Sequence, residues 1–355
     1  MYNNIQLLRG VSALIVFLHH IRFHYAAMGG KNSLIIGISE FGYVGVDVFF
    51  VISGFVMAYL INEGADYDRS FSSFVGRRLI RIFSWYWPWL LVSMVCLYFF
   101  EKDRYLEISA IRSLFLSSIL IKDLTLPVSW SLSHEILFYM STSFLLLINK
   151  RLATKIVILT VFFQVVANFF FVYREGSISS FIFSPYNLEY LMGFLLYQFK
   201  DKIYEYFDSL ILLGLSVFFI YLGVVNGVTS TTLRVPTFGV GAFFLVCLAV
   251  LTEENGSFKA RSVFVSMSNA SFTIYLAHLA FISLLFNSGV LTWIAQFGGV
   301  TLDIGFFLLI ALVVVLCCIL NQFLEKPLLR VCYRIFGFGT KSEIAMCRQV
   351  PSINT

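Results

Sequence analysis

The sequence predicts an all-α integral membrane bundle of about ten helices, with both termini in the cytoplasm. Three observations carry this reading. The 355 residues are 59% hydrophobic and only 13% charged, with a mean hydropathy of +0.85, and a soluble domain this apolar would expose large adhesive patches. Ten apolar runs have spanning length, near 7–23, 41–62, 79–100, 130–148, 155–173, 181–199, 209–225, 233–252, 267–288 and 301–323. The basic residues also divide unevenly. Arg22, Lys31, Lys102, Arg104, Arg112, Lys122, Arg174 and Arg234 fall on one side, and the other seventeen of the 25 on the opposite side. The positive-inside rule makes the richer side cytoplasmic.

The rest of the composition agrees. The 40 Phe and 18 Tyr suit lipid-facing and interfacial positions. The first apolar run lacks a small-residue cleavage site and holds Arg9, so it does not read as a cleavable signal. Cys96, Cys247, Cys317, Cys318, Cys332 and Cys347 include no CxxC and no His at zinc spacing, and read as reduced packing residues. Residues 1–325 form one transmembrane domain. Residues 326–355 form a short basic cytoplasmic tail, a surface helix followed by a disordered end. A piece at 108–121 reads as an interfacial or re-entrant helix. Nothing suggests nucleic-acid binding, and HExxH, GxGxxG, P-loop and GxSxG patterns are absent.

The first run, LLRGVSALIVFLHHIRF, is the most informative. Arg9 and His20 are eleven residues apart, about three helical turns or roughly 16 Å, so both project from one face. Ser12, Ala13 and Val16 lie between them on that face. Ionisable groups in a bilayer usually face the protein interior or a water-filled cavity. This face therefore reads as one wall of an intramembrane site. The plainer reading is a first helix with snorkelling ends and two satisfied histidines. His19 lies about 100° around the helix from His20.

In SWSLSHEILFYM, Glu135 enters from the other side to a depth matching that of His20. A carboxylate there would orient the imidazole and support its basicity; alternatively the two only tie helices together. His134 points to another surface. In FGYVGVDVFFVISGF, Gly42, Gly45, Ser53 and Gly54 allow close approach of a backbone or ligand. Asp47 is either a second catalytic carboxylate or the partner of a nearby base such as Arg22. In FVGRRLIRI, Arg77, Arg78 and Arg81 form a basic corner. They serve as topology anchors or as a pyrophosphate site, which Arg9 would join. In SFTIYLAHL, Ser271, Tyr275 and His278 share a face, with His278 read as a packing residue. In FLEKP, Glu325 faces the same compartment as Arg77 and Arg78 and is placed to pair with one of them.

LLRGVSALIVFLHH with its Arg-x10-His spacing, YVGVDVFFVISGF, FVGRRLIRI, SWSLSHEILFY, SFTIYLAHL and FLEKP occur in that order. Together they resemble the membrane acyltransferase family called acyltransferase-3, whose members acylate bacterial glycans and related molecules. The resemblance covers nearly the whole chain and implies about ten transmembrane helices. It implies that His20 is the catalytic histidine and that Arg9 belongs to its motif. Arg77 and Arg78 match a basic pair thought to contact acyl-coenzyme A, and Glu135 matches the acidic residue after Trp-Ser-Leu. Members often carry Pro directly after the basic pair, whereas Pro88 comes later here, after SWYW. Some relatives bear an esterase-like domain, and this chain resembles the stand-alone type.

The expected activity is O-acyl transfer, with acetyl as the group moved, from acyl-coenzyme A to a hydroxyl of a cell-surface glycan or glycolipid. The expected location is the bacterial inner membrane, among membrane lipids, with no metal. His20, Glu135 and Asp47 form the catalytic set, and Arg9, Arg77, Arg78 and Arg81 the donor site. Direct transfer and a covalent acyl-histidine both remain open. The competing reading is a transporter or flippase for an anionic lipid-linked sugar, which also explains buried charge and a basic mouth.

Overall fold

A computed structural model describes residues 2–63, 71–103, 110–116, 124–170 and 177–338. Arg69, Arg104, Lys122, Arg174, Lys341, Arg348 and Cys347 lie outside them, as do the proposed disordered end and much of the 108–121 piece.

The described residues are helical, with no strand among them. The helices are α1 (Asn3–Ala27), α2 (Ser33–Glu40), α3 (Val44–Glu63), α4 (Phe71–Phe100), α5 (Ala110–Leu114), α6 (Trp130–Leu145), α7 (Lys150–Phe170), α8 (Ile178–Ile182) and α9 (Tyr186–Tyr206). They continue with α10 (Ser209–Val225), α11 (Thr231–Arg234), α12 (Val240–Glu254), α13 (Ser262–Ser268), α14 (Ser271–Asn287), α15 (Val290–Ala295), α16 (Gly299–Leu320) and α17 (Lys326–Ile335). A π-helical turn, Val235–Gly239, joins α11 to α12, and another, Asn321–Glu325, joins α16 to α17.

Each of the ten apolar runs falls on a helix. Among the described residues six helices are long and apolar enough to cross a membrane: Asn3–Ala27, Val44–Asn62, Phe71–Phe100, Arg151–Phe170, Val235–Glu254 and Gly299–Ile335. Two bent pairs bring the number to eight if each is one span. These are Ile178–Tyr206 with Ser209–Val225, bent by 115°, and Ser262–Ser268 with Ser271–Asn287, bent by 50°. The expected run at 130–148 yields only the 16 residues of α6, about 24 Å of helix and short of a bilayer core. The helix that holds Pro88 runs unbroken from Phe71 to Phe100. Residues 326–335, where a short helix is expected, form α17. α17 continues α16 through the π turn, and the Tyr333 hydroxyl donates to the Arg77 carbonyl at 3.3 Å.

α1 is central, packing on α3, α13 and α14. Its start is pinned electrostatically. The backbone N–H groups of Asn3 and Asn4 donate to the two oxygens of Glu253 at 2.9 and 2.7 Å. Free N–H groups and the positive end of the helix dipole favour a carboxylate there. The Asn4 side chain donates to the carbonyls of Ala249 and Phe258 and accepts from the Ala260 N–H. At the far end, Tyr25 Oη and Asn32 Nδ2 donate to Asp303 on α16. These anchors fix where Arg9 and His20 lie along the bundle.

Glycines set the closest helix contacts, as the small residues of the second run foretell. A Cβ on Gly42 would lie 2.2 Å from the Ile15 carbonyl oxygen, and one on Gly45 2.5 Å from that of Ser12. Between α3 and α9 the approach is closer still. A Cβ on Gly54 would lie 1.8 Å from the Tyr190 oxygen, and one on Gly193 1.9 Å from that of Val51. Contact this close maximises dispersion where the hydrophobic effect between helices is weak. Gly54→Val and Gly193→Val are each expected to cost about 1–3 kcal/mol or more through overpacking. Gly37→Ala, where a Cβ meets nothing within 4 Å, should be neutral. Thermal unfolding in detergent checks all three; a wild-type midpoint in both valine variants would disprove the close contact.

Candidate active site

Two features meet inside the bundle, a basic cavity and a pair of histidines. The cavity and its open mouth together span about 1160 Å³. Arg9 of α1 and Arg78 and Arg81 of α4 line it, with Glu135 of α6 among them. Ser53, Ser131, Tyr139 and Tyr275 add hydroxyls, and Val46, Phe49 and Phe50 form an apolar inner part. Ser53 donates to Glu135 Oε1 at 3.3 Å and Tyr139 to Oε2 at 3.1 Å. The Arg78 guanidinium lies over the rings of Phe74 and Tyr139 at 5.6 and 5.7 Å. Three cations beside one carboxylate leave a net positive lining suited to a polyanion.

The arginine corner thus separates. Arg78 and Arg81 line the cavity, and Arg77 does not. Its guanidinium lies 5.9 Å from the Phe338 ring, on the face of α4 turned toward α17. Adjacent residues on a helix differ by about 100°, so Arg77 and Arg78 cannot share one face. Glu325 likewise has partners other than Arg77 or Arg78. It accepts from Thr273 Oγ1 and, at 2.7 Å, from Asn321 Nδ2. The π turn at Asn321–Glu325 shifts the helical register and presents this carboxylate to α14.

His20 is not partnered by Glu135. Among the described residues the two form no hydrogen bond, and Glu135 belongs to the arginine cavity instead. The partner of His20 is His278 of α14, whose Nε2 lies 3.3 Å from His20 Nδ1. The remaining contacts fix the tautomers. His278 Nδ1 lies 3.0 Å from the Ile274 carbonyl and His20 Nδ1 2.9 Å from the Val16 carbonyl. A carbonyl only accepts, so both Nδ1 atoms carry hydrogen. The His20 Nδ1–H has the Val16 carbonyl as its shorter acceptor, and His278 Nε2 takes a second, longer share of the same hydrogen. In the neutral His20 ring, Nε2 therefore holds a bare lone pair, and no hydrogen-bond partner occupies it among the described residues. This is the electronic state a general base requires.

The two features adjoin along α14. Ser271 and Tyr275 line the cavity, and His278 follows Tyr275 by three residues. The Tyr275 and His278 rings lie 6.1 Å apart. Ser12, Ala13 and Val16, between Arg9 and His20 on α1, are all buried, so Arg9 marks the basic end and His20 the inner end of one helix face.

The other candidates stand elsewhere. His19 Nδ1 faces the Ser39 carbonyl at 2.9 Å. His134 Nδ1 faces Asn187 Oδ1 at 3.0 Å, on a surface distinct from that of Glu135. Asp47 is fully buried and away from the cavity. Its partner is Arg234 rather than Arg22: Nε donates to Oδ1 at 2.9 Å and Nη2 to Oδ2 at 2.7 Å. Arg234 also donates to the Tyr186 hydroxyl and the Tyr43 carbonyl. With both oxygens held by one guanidinium, Asp47 fastens α3 to the turn that starts α12. Arg234, counted in the sequence among loop charges, is a core residue. His278 was legible as the third member of the Ser271–Tyr275–His278 face, but its pairing with His20 depends on a helix crossing that no spacing encodes. No group of three or more His, Cys, Asp or Glu suited to a metal occurs among the described residues.

The Acyltransferase domain family, acyltransferase-3, matches residues 2–321. The chain belongs to this family. It is an integral membrane acyltransferase, and the match ends within the π turn that carries Glu325. No curated protein and no solved structure matches the chain.

For this acyltransferase, His20→Ala is expected to lower acyl transfer by roughly 10²–10⁴. His278→Phe, which removes the longer of the two acceptors of the His20 Nδ1–H and leaves the Val16 carbonyl, should cost up to about tenfold, near one charge-neutral hydrogen bond. His19→Ala and His134→Ala should stay close to wild type. Labelled acyl groups incorporated into the cell envelope, normalised to membrane protein, give the readout. Full activity in His20→Ala would remove the pair from the chemistry.

Proposed function

We propose that this acyltransferase moves an acetyl group from acetyl-coenzyme A to a sugar hydroxyl of a cell-surface glycan or glycolipid in the bacterial inner membrane. One observation carries the reading: Arg9, Arg78 and Arg81 converge on a cavity whose inner wall, at Tyr275, adjoins the His278–His20 pair. The donor is a substrate with a polyanionic head and a small thioester end. The arginines suit the phosphates through charge-assisted hydrogen bonds. The apolar part formed by Val46, Phe49 and Phe50 suits the narrow arm. Glu135 keeps the arginines spaced and partly neutralised while the cavity is empty. Its role is thus in donor binding rather than in orienting His20.

His20 Nε2 takes the proton of the acceptor hydroxyl as its oxygen attacks the thioester carbon. The C–O ester bond forms and the C–S bond breaks. The coenzyme leaves as a thiolate, which takes the proton back from His20. His278 holds the ring in the tautomer that leaves Nε2 bare and shares the charge of the transient imidazolium. Asp47 takes no part in these steps.

The unequal distribution of Lys and Arg supports a cytoplasmic position for both termini and for the basic cavity. Reporter fusions at Thr355 and near Lys31 should report opposite sides of the membrane. A shared side would overturn this topology and with it the cytoplasmic supply of donor.

Arg78→Gln and Arg81→Gln are each expected to raise the KM for acetyl-coenzyme A by roughly tenfold to a hundredfold, the equivalent of one lost hydrogen bond to a charged group. Arg77→Gln should change it less than about threefold, because the cavity lacks that side chain. Thiol release by purified protein measures both. It also separates this reading from transport, in which no thiol appears. Equal effects at Arg77 and Arg78 would overturn the division of the corner.

A further inference from the structure

A second cavity of about 920 Å³ lies beyond the histidines. Four segments place the two cavities at successive levels. On α1, Arg9 lines the first and His24 the second. On α4, Arg78, Arg81 and Ile82 line the first, and Ser93, Cys96, Leu97 and Phe100 the second, followed by Glu101 just past its end. On α14, Tyr275 belongs to the first and Leu279 to the second, with His278 between them. Residues 125–127 line the second cavity and Ser131–Tyr139 the first. His20, one turn before His24 on α1, and His278, between Tyr275 and Leu279 on α14, therefore stand at the level between the two spaces.

The linings differ in charge. Among the described residues, the second cavity is lined by one carboxylate, Glu101, and by no Lys or Arg. A phosphate or a coenzyme would find no cation there. The aromatic faces of Phe100 and Phe286 and the hydroxyls of Ser93 and Ser283 instead match a sugar ring. One group is conspicuously unused. Ser93 is only 5% exposed, lines the cavity, and its Oγ has no hydrogen-bond partner. A buried hydroxyl without a partner costs about 1–3 kcal/mol, which a ligand hydroxyl would relieve. Trp89 Nε1, one turn earlier on α4, is also buried and unpartnered. The His24 side chain makes no hydrogen bond among the described residues, and its ring lies 4.8 Å from that of Phe286, tilted by 54°.

We propose that this second cavity binds the acceptor as an uncharged sugar, with Ser93 Oγ hydrogen-bonded to it and its reactive hydroxyl presented to His20 from the side opposite the donor. The proposal rests on the acyl-transfer reading above and adds the place and charge class of the acceptor. A sugar hydroxyl can arrive on a polysaccharide or on a glycolipid; the test treats these separately.

The test uses full-length protein in detergent, acetyl-coenzyme A, and three fractions from cells lacking this chain: envelope polysaccharide, glycolipid and phospholipid. Ser93→Phe and, from the facing helix, Ser283→Phe fill the cavity; Ser93→Ala removes only the hydroxyl. Both filling variants should lower transfer by about tenfold or more, while the donor concentration for half-maximal rate moves less than about twofold. Ser93→Ala should raise the acceptor requirement and leave the maximal rate near wild type. Independently of activity, the polysaccharide or the glycolipid fraction should raise the thermal midpoint of wild type and not of the filled variants. Wild-type transfer in a folded filling variant would overturn the proposal, as would a midpoint raised by phospholipid alone, which would mark a lipid-tail site. Wild-type protein that is stabilised by a sugar fraction yet releases no coenzyme would support the sugar site and refute the proposed reaction instead.

Discussion

A charge carried into a bilayer must be paired, hydrated or kept in a neutral form, and this constraint sorts the ionisable groups of the bundle. Asp47 and Arg234 neutralise one another in a dry setting, with the remaining guanidinium hydrogens taken by Tyr186 and Tyr43. Arg9, Arg78 and Arg81 stand around an open cavity beside Glu135, where water or an anion can reach them. The histidines use the third solution. Each gives its Nδ1–H to the carbonyl four residues back on its own helix, and a neutral ring needs no counter-charge. The same sorting produces a basic cavity, a structural clamp and a neutral histidine pair.

Placement depends on helix contacts made without side chains. Gly42 and Gly45 bring α3 against the backbone of α1, and Gly54 and Gly193 do the same for α3 and α9. The Glu253 carboxylate at the first N–H groups of α1 sets its height in the bundle. With height and separation fixed, a periodicity argument about Arg9 and His20 becomes a statement about two ends of one internal face.

The sequence announced this in part. Helical class, apolar runs and the Arg9–His20 face follow from composition and from a period of 3.6, which are local properties. The small residues of the second run also met the backbones they invite. What failed depended on crossings between helices. Matching depths for Glu135 and His20 gave a plausible pair, yet depth leaves the angle around each helix free, and Glu135 turned to Ser53 and Tyr139 while His20 turned to His278. Arg77 and Arg78 looked equivalent because charge clusters are read along the chain, whereas 100° of rotation sends one to Phe338 and the other into the cavity. Arg234 differs for a similar reason: counted along the chain it is one of eight cations on one side of the membrane, and only the fold brings it to a buried carboxylate 187 positions away.

The contact between α3 and α9 also bears on how the basic cavity changes size. Ser53 lines that cavity, and its neighbour Gly54 rests on the Tyr190 carbonyl with no side chain between. Backbones so close cannot slide or rotate without collision, so α3 and α9 behave as a single rigid plate. The facing wall is joined through longer side chains, Arg78 and Arg81 among them, whose rotamers change at little cost. Any change in the width of the cavity is therefore confined to that wall, and the α3 side stays fixed as its reference edge.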